Sequence, residues 1–240
     1  MDYRYDAIIL GKRDLGETDR FYILYTQEEG KITALGKGTK RPNAKLSGNL
    51  EPVTYSQIFM AKNRGKGNIT GAIGLNFFPN VKANFLALKS TFFVFGIFEK
   101  IISDQEGDPE IFQLLLGYLE SLDKISAENV KENRFDILSL GFILKLLDNL
   151  GYRLEVERCA SCGKKLSLGQ NFFDAKSGGI LCPDCSRGSL GAMRVSDGAI
   201  KLMRIFLKND PKNFSKIDAS ERDVDYLRKI ITEELNWISI

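Results

Sequence analysis

The sequence predicts an α+β protein: an N-terminal five-stranded barrel, then an all-α domain carrying a cysteine-rich insertion. Three observations predict it. Apolar residues recur at the strand period of two over residues 1–75. From about Asn80 the period lengthens to the 3.6 of helices. All four cysteines fall in two C-x₂-C pairs, Cys159/Cys162 and Cys182/Cys185. With 240 residues, 43% of them hydrophobic and 27% charged, the chain can bury a sizeable core in one large domain or two to three small ones.

Residues 3–10 are apolar at most positions and read as a first strand, with 11–15 as a turn. The segment 20–26 (RFYILYT) is rich in aromatic and β-branched residues and reads as a second strand. A hairpin turn through Glu28, Glu29 and Gly30 leads to a third at 31–35. A fourth covers 52–60, with Val53, Tyr55, Gln57 and Phe59 on one face, and a fifth covers 69–75. Five short strands with glycine turns suit a small Greek-key barrel such as the OB-fold over residues 1–78.

The second domain, 79–240, is expected to be helical. Residues 81–104 are apolar almost all round and predict a buried helix, ended by Gly107-Asp108-Pro109. Pro109 suits the start of the next helix, 110–122. A third spans 134–150 and stops at Gly151. Ser196 is placed as the N-cap of 196–208, and Ser220 with Asp223 as a capping box opening 220–237.

Charge is segregated. Between residues 30 and 98 lie ten Lys and Arg and a single acid, Glu51; the segment is +9 while the whole chain is +3, leaving −6 elsewhere. Two basic loops dominate it, one with Lys37, Lys40, Arg41 and Lys45 after Lys31, the other with Lys62, Arg64 and Lys66. Such a polarised distribution is the footprint of a phosphate-backbone binder; the competing reading is a pair of solvated loops. Tyr22, Tyr25, Tyr55 and Phe59 neighbour these loops and are either stacking platforms or core.

The cysteine pairs are separated by nineteen residues, with Gly163 and Gly178-Gly179 available for tight turns and a hairpin expected over 171–181. Two C-x₂-C turns can present four thiolates to one tetrahedral ion, so Cys159, Cys162, Cys182 and Cys185 are expected to bind one structural zinc in a ribbon-like segment, 156–190, inserted in the helical domain. Two disulfides, two redox dithiols or four unrelated thiols are the alternatives. Four protein ligands would close the shell and leave no place for a catalytic water.

Enzymatic signatures are weak. The chain has no histidine, which removes the commonest general base and every Ser–His or Cys–His pair. Gly30 to Lys37 misses a P-loop by one residue, Gly65-Lys66-Gly67 lacks the third glycine of a dinucleotide fingerprint, and the pairs Glu28-Glu29 and Glu233-Glu234 suit solvated surfaces. No run of about 18 apolar residues predicts a membrane span. The acids in MDYRYDAII argue against a secretion signal, so a cytoplasmic location is expected.

The elements Ala7-Ile8-Ile9-Leu10, Gly16-Glu17-Thr18-Asp19-Arg20, Gly30-Lys31-Ile32-Thr33-Ala34-Leu35, Gly36-Lys37-Gly38 with Lys40-Arg41, and Leu46-Ser47-Gly48-Asn49-Leu50 together resemble the N-terminal domain of the bacterial RecO family. Gly151-Tyr152, Cys159 to Cys162, and Gly178-Gly179 before Cys182 resemble the same family's C-terminal part. The resemblance implies an OB-fold, a helical domain with an inserted zinc segment, and a non-enzymatic role in DNA repair. That role is to bind single- and double-stranded DNA, anneal complementary strands, and with RecR help RecA displace single-strand-binding protein in the nucleoid. From the charge segregation, the expected phosphate-contacting residues are Lys31, Lys37, Lys40, Arg41, Lys45, Lys62, Arg64 and Lys66. For the acidic, apolar tail of single-strand-binding protein, the helices 81–102 and 134–150 with Lys82, Lys89, Arg134 and Lys145 are expected to form the seat. An RNA-binding zinc-ribbon factor of translation or transcription is the alternative, and a metal-dependent nuclease a more distant one.

Overall fold

The computed structural model describes residues 2–61, 67–102, 107–128 and 130–238. The chain divides into two compact units, Met1–Ala127 and Glu128–Ile240. The expected boundary after residue 78 marks where strands give way to helices, but the helices that follow, up to residue 126, belong to the first unit.

The first unit is built on five strands: β1 (Asp2–Leu15), β2 (Asp19–Thr26), β3 (Gly30–Gly36), β4 (Tyr55–Ala61) and β5 (Asn68–Asn76). They close a barrel in the order β1-β2-β3-β5-β4. All neighbours are antiparallel except β3 and β5, which meet in parallel at Leu35 and Asn68. The first strand is longer than the sequence suggests. Residues 11–15 are not a turn; they pair with β2 from Gly11↔Ile23 to Leu15↔Asp19, after a register shift between Ile9 and Gly11. Alternation places Ser56, Ile58 and Met60 of β4 inward and Tyr55, Gln57 and Phe59 outward. The barrel core holds Tyr5, Ala7, Ile9, Tyr22, Leu24, Ala34, Leu50, Ile58, Met60, Ile69 and Ala72.

Three helices follow: α1 (Pro79–Ala83), α2 (Phe85–Ile101) and α3 (Pro109–Ser126). The expected single helix from 81 is split because the Asn84 side chain accepts the Leu86 and Ala87 N–H groups and starts α2 afresh. α2 and α3 cover the outside of the barrel: the Tyr25 ring meets Phe98 edge-on at 4.8 Å and lies 6.2 Å from Phe112. The expectation that α2 is buried all round is corrected. Ala87, Thr91, Val94, Phe95 and Phe98 face inward, while Phe85, Phe92 and Phe93 are 77%, 47% and 50% exposed.

The second unit packs α4 (Asn133–Asn149) against two later helices, α6 (Asp197–Lys208) and α7 (Glu221–Trp237). Between α4 and α6 lie the strands β6 (Asn171–Asp174), β7 (Gly179–Leu181) and β8 (Met193–Val195), and the single-turn α5 (Pro183–Ser186). The expected hairpin is β6–β7; β8 adds a third strand beside β6. Ser196 and Ser220 cap α6 and α7 as read from the sequence. Among the described residues no helix is long and apolar enough to cross a membrane.

One carboxyl of this unit is out of place. Glu234 on the inner face of α7 is 4% exposed, and its Oε2 has no hydrogen-bond partner among the described residues. Burial pushes this carboxyl up from 4.5 to about 7. The folded state thus holds the proton more tightly than the unfolded chain. The associated stability is full below about pH 4.5 and is lost as pH rises through about 7. Glu234→Gln is expected to raise the unfolding free energy by roughly 2–3 kcal/mol at pH 8 and to change it little at pH 4. Denaturant titrations of both chains at the two pH values measure this, and equal effects at both would exclude the carboxylate as the cause.

Candidate nucleic-acid interface and metal centre

The basic segment after β3 is a loop pinned at both ends. At its root, Gly36 lies under the Tyr22 ring; a Cβ there would sit 2.6 Å from Tyr22 Cε2 and 2.9 Å from Thr39 Cγ2, so only glycine lets the chain leave the barrel at this point. Gly38 adopts a left-handed conformation (φ 67°) and donates its N–H to Asp19 Oδ1 at 2.8 Å. The Lys40 N–H donates to the Thr18 carbonyl at 2.9 Å. At the far end Leu46 packs on the barrel core, Leu50 is wholly buried, and Asn49 Nδ2 donates to the Ala72 carbonyl at 2.8 Å. Between these anchors Lys37, Arg41 and Lys45 are exposed.

The remaining expected phosphate contacts fare differently. Lys31 is committed elsewhere: its Nζ donates to the carbonyls of Glu99 (2.9 Å) and Ile102 (2.6 Å) at the C-terminal end of α2, where the helix dipole favours a cation. Lys40 is paired with Asp14 at 2.9 Å and also reaches the Gly16 carbonyl. Lys62, Arg64 and Lys66 lie outside the described residues. Tyr22 and Tyr25 are 1% exposed and belong to the interior, not to a stacking surface. Tyr55 and Phe59 are half-buried on the outer face of β4, and Tyr55 packs edge-on against Phe112.

Carboxylates that the charge count left out now stand beside the loop. Asp14 bridges Arg20 and Lys40, whose hydrogen bonds hold its carboxyl below the usual range. Asp19 is lowered too, chiefly by the Gly38 N–H, then by the Thr18 hydroxyl, with Lys37 and Arg41 adding to it. Glu51, the lone acid of the basic segment, is taken up by Lys12 at 2.5 Å. The signal for the Asp14 and Asp19 contacts is the hairpin register, in which β1–β2 pairing sets Asp14 opposite Arg20 and β2–β3 pairing sets Arg20 opposite Gly36.

Of the four bases expected to seat a partner's tail, three are occupied. Lys82 is half-buried with its Nζ on Thr54 Oγ1 at 2.7 Å, and desolvation lowers its pKa. In the second unit Arg134 donates to the Ser215 carbonyl, and Lys145 donates to the Leu207 carbonyl at 2.7 Å. Only Lys89 is exposed, on the same stripe of α2 as Phe85, Phe92 and Phe93.

In the second unit all four cysteines converge. Their sulfurs lie within 4.8 Å of one another, and Cys162 and Cys182 are 3.9 Å apart. Ligands 2.3 Å from a tetrahedral zinc would be about 3.8 Å apart. The first knuckle is shaped by Gly163 (φ 71°), whose N–H donates to the Cys159 carbonyl at 2.8 Å. Ala160 N–H ties it to the Ile180 carbonyl, and Cys182 N–H points at Cys159 Sγ at 3.3 Å. Gly179 lies so close to Glu155 that a Cβ would come within 2.3 Å of its carbonyl oxygen. The sulfurs perturb each other. Burial opposes a Cys159 thiolate, but N–H donors of Cys162, Cys182 and Ser161 outweigh it and hold the thiol down to about 6. At Cys185 the Ser161 hydroxyl favours the thiolate, but the thiols of Cys162 and Cys182 outweigh it and push the pKa up to about 12. Four thiolates this close cannot all ionise without a cation among them, so the donor set fits a bound metal ion.

Residues 1–78 match the family model described as the N-terminal part of recombination protein O, and residues 90–237 match the model of its C-terminal part. A DNA repair protein RecO of Dehalococcoides mccartyi is 30% identical over 237 residues, covering 99% of this chain and 90% of that protein. The DNA repair protein RecO of Roseiflexus sp. is 29% identical over 213 residues, 89% of this chain and 72% of its own length. That of Geobacter metallireducens is 30% identical over 184 residues, 77% and 72% respectively. Together these matches span the barrel, the helices and the cysteine segment, and the chain belongs to the RecO family of DNA repair proteins.

Proposed function

We propose that this chain is a non-enzymatic recombination mediator of the cytoplasm and nucleoid. It binds single- and double-stranded DNA through the loop after β3, anneals complementary strands, and with RecR assists RecA loading onto strands coated by single-strand-binding protein. The observation that carries the reading is the doubly anchored loop presenting Lys37, Arg41 and Lys45 to solvent from the rim of the barrel. Phosphate contacts hold a strand without reading its sequence, and neutralising two backbones lowers the repulsion between strands that must pair. A strand-annealing assay with and without single-strand-binding protein tests it; strand loss that depends on Mg²⁺ would point to a nuclease, and tighter binding of RNA than DNA to an RNA-binding factor.

Charge dominates this interface, so binding should fall steeply with salt. With about five phosphate contacts the log–log slope for a single strand is expected near −3.5. Changing Lys37, Lys40 and Arg41 together to Ala should weaken binding on all sequences and flatten that slope by roughly 2, with a nearly unchanged melting temperature. Unaltered affinity and slope, read by fluorescence anisotropy across a salt series, would end this reading.

The metal is proposed to be one structural zinc held by Cys159, Cys162, Cys182 and Cys185. Elemental analysis should find about one zinc per chain, and Cys162→Ser should lower the melting temperature while leaving strand binding by the barrel in place. A metal-free chain with four rapidly titrating thiols would refute it.

For the partner's acidic, apolar tail, the exposed stripe of α2 now replaces the wider seat expected from the sequence. Phe85, Phe92 and Phe93 offer apolar surface and Lys89 a cation, whereas Arg134 and Lys145 are held by the chain's own carbonyls. A tail peptide should bind the full chain, and Phe92→Ala with Phe93→Ala should weaken it about tenfold or more. Equal binding by that double variant would move the site elsewhere.

A further inference from the structure

A carboxylate beside a phosphate-binding loop is an electrostatic liability, yet two stand there. They differ in what they touch. Asp14 is exposed, and among the described residues its carboxylate meets side chains, those of Arg20 and Lys40. Asp19 is half-buried and its Oδ1 accepts two bonds at once, from the Gly38 backbone N–H at 2.8 Å and from the Thr18 hydroxyl at 2.9 Å. The Gly38 conformation turns its N–H inward to that oxygen, and the Lys40 N–H adds a second tie from the loop to the same turn. Arg41 N–H then closes back on the Gly38 carbonyl at 3.2 Å. Residues 38–40 are therefore tied to the β1–β2 turn, with Lys37 and Arg41 on either side of the bonded stretch.

We propose that Asp19 is the positioning residue of the phosphate-contacting loop: its carboxylate oxygen fixes the backbone at Gly38 and so sets Lys37 and Arg41 for a strand before it arrives. The inference rests on the nucleic-acid reading above and extends it to a residue whose charge opposes the ligand. A loop ordered in advance loses less entropy on binding, and the neighbouring cations Lys37 and Arg41 screen the repulsion of the one carboxylate.

Two variants with the same charge separate the acceptor from the charge. In the full chain, Asp19→Asn keeps an oxygen acceptor toward Gly38 and Thr18, and Asp19→Ala removes it. Anisotropy with a mixed-sequence single-stranded oligonucleotide over a salt series is the measurement. Asp19→Asn is expected to bind as tightly as the native chain or tighter. Asp19→Ala is expected to bind about tenfold more weakly than Asp19→Asn, with a salt slope flatter by about 1 and an unchanged melting temperature. Asp14→Asn, which removes a charge without touching the backbone, should tighten binding by about twofold to fivefold. If Asp19→Ala does not fold, Asp19→Glu keeps the charge but displaces the acceptor, and is expected to bind several-fold more weakly than the native chain. Equal affinities of Asp19→Ala and Asp19→Asn would overturn the positioning role. If the Lys37, Lys40 and Arg41 triple variant weakens binding while those two agree, this inference alone falls; if the triple variant binds normally, the nucleic-acid reading falls and this one with it.

Discussion

In a closed barrel every strand pairs along both edges, and β1 does so with different halves of its length. From Asp2 to Ile8 it pairs with β4, and from Ala7 to Leu15 with β2, so the two ladders overlap for only two residues. Beyond that overlap the strand has to bend away from one partner toward the other. The register shift between Ile9 and Gly11 supplies the bend. On the other side Val53, with a left-handed φ of 59°, turns the chain so that Ile9 exchanges hydrogen bonds with Val53 and Thr54 at 2.9 Å. Such a conformation is rare for a β-branched side chain, and full burial of Val53 holds it in place. Closure removes the open edges and fixes the β1–β2 turn beside the end of β3, where the basic loop departs.

That placement decides how much of the loop's charge is available. An exposed ion pair is weak in water, so Asp14 holds Lys40 and Arg20 loosely. Lys31 is different in kind. It joins two carbonyls at the end of α2, so releasing it would leave helix-terminal acceptors without their cation. One basic residue thus fastens the helical layer to the barrel while its neighbours in sequence face solvent. The charge excess of this segment serves packing as well as leaving cations on the surface.

Much of this was legible in the sequence where short-range rules decide. Strand positions follow from alternation, helix starts at Ser196, Ser220 and Pro109 from capping chemistry, and the cysteine cluster from two local C-x₂-C turns. The failures share a cause, which is that a partner distant in sequence settles the matter. Residues 11–15 look like a turn because Gly11 and the charged Lys12, Arg13 and Asp14 have low strand propensity, but β2 supplies a full ladder to them. The apolar run of α2 suggests burial on all sides, although the barrel and α3 cover only part of it. The tally of bases against acids missed Asp14 and Asp19 because they enter from the preceding hairpin. It also could not tell Lys37, which is free to meet a ligand, from Lys31, which is not.

The cysteine segment shows the same division between local and distant terms. Its own apolar cluster consists of Cys159, Leu181 and Cys182, with Ala160, Leu166, Phe172, Cys185 and Ala192 packed around it. This cluster is small, though Val156, Phe173 and Ile180 of the same segment are buried as well, and a stretch of this size ordinarily needs a metal or a disulfide to fold. The sulfurs are gathered round one point and no pair of them is joined, which suits a cation and not two cross-links. The segment is also fastened to α6 by Arg204, whose Nε donates to the Val156 carbonyl at 2.8 Å, and by Lys208, paired with Glu157 at 2.5 Å. The Arg204 bond is partly buried and orients the segment, whereas the exposed Lys208 pair adds little stability in water. Four cysteine ligands would close the shell of an ion bound among them and leave it no open position, which suits a structural task.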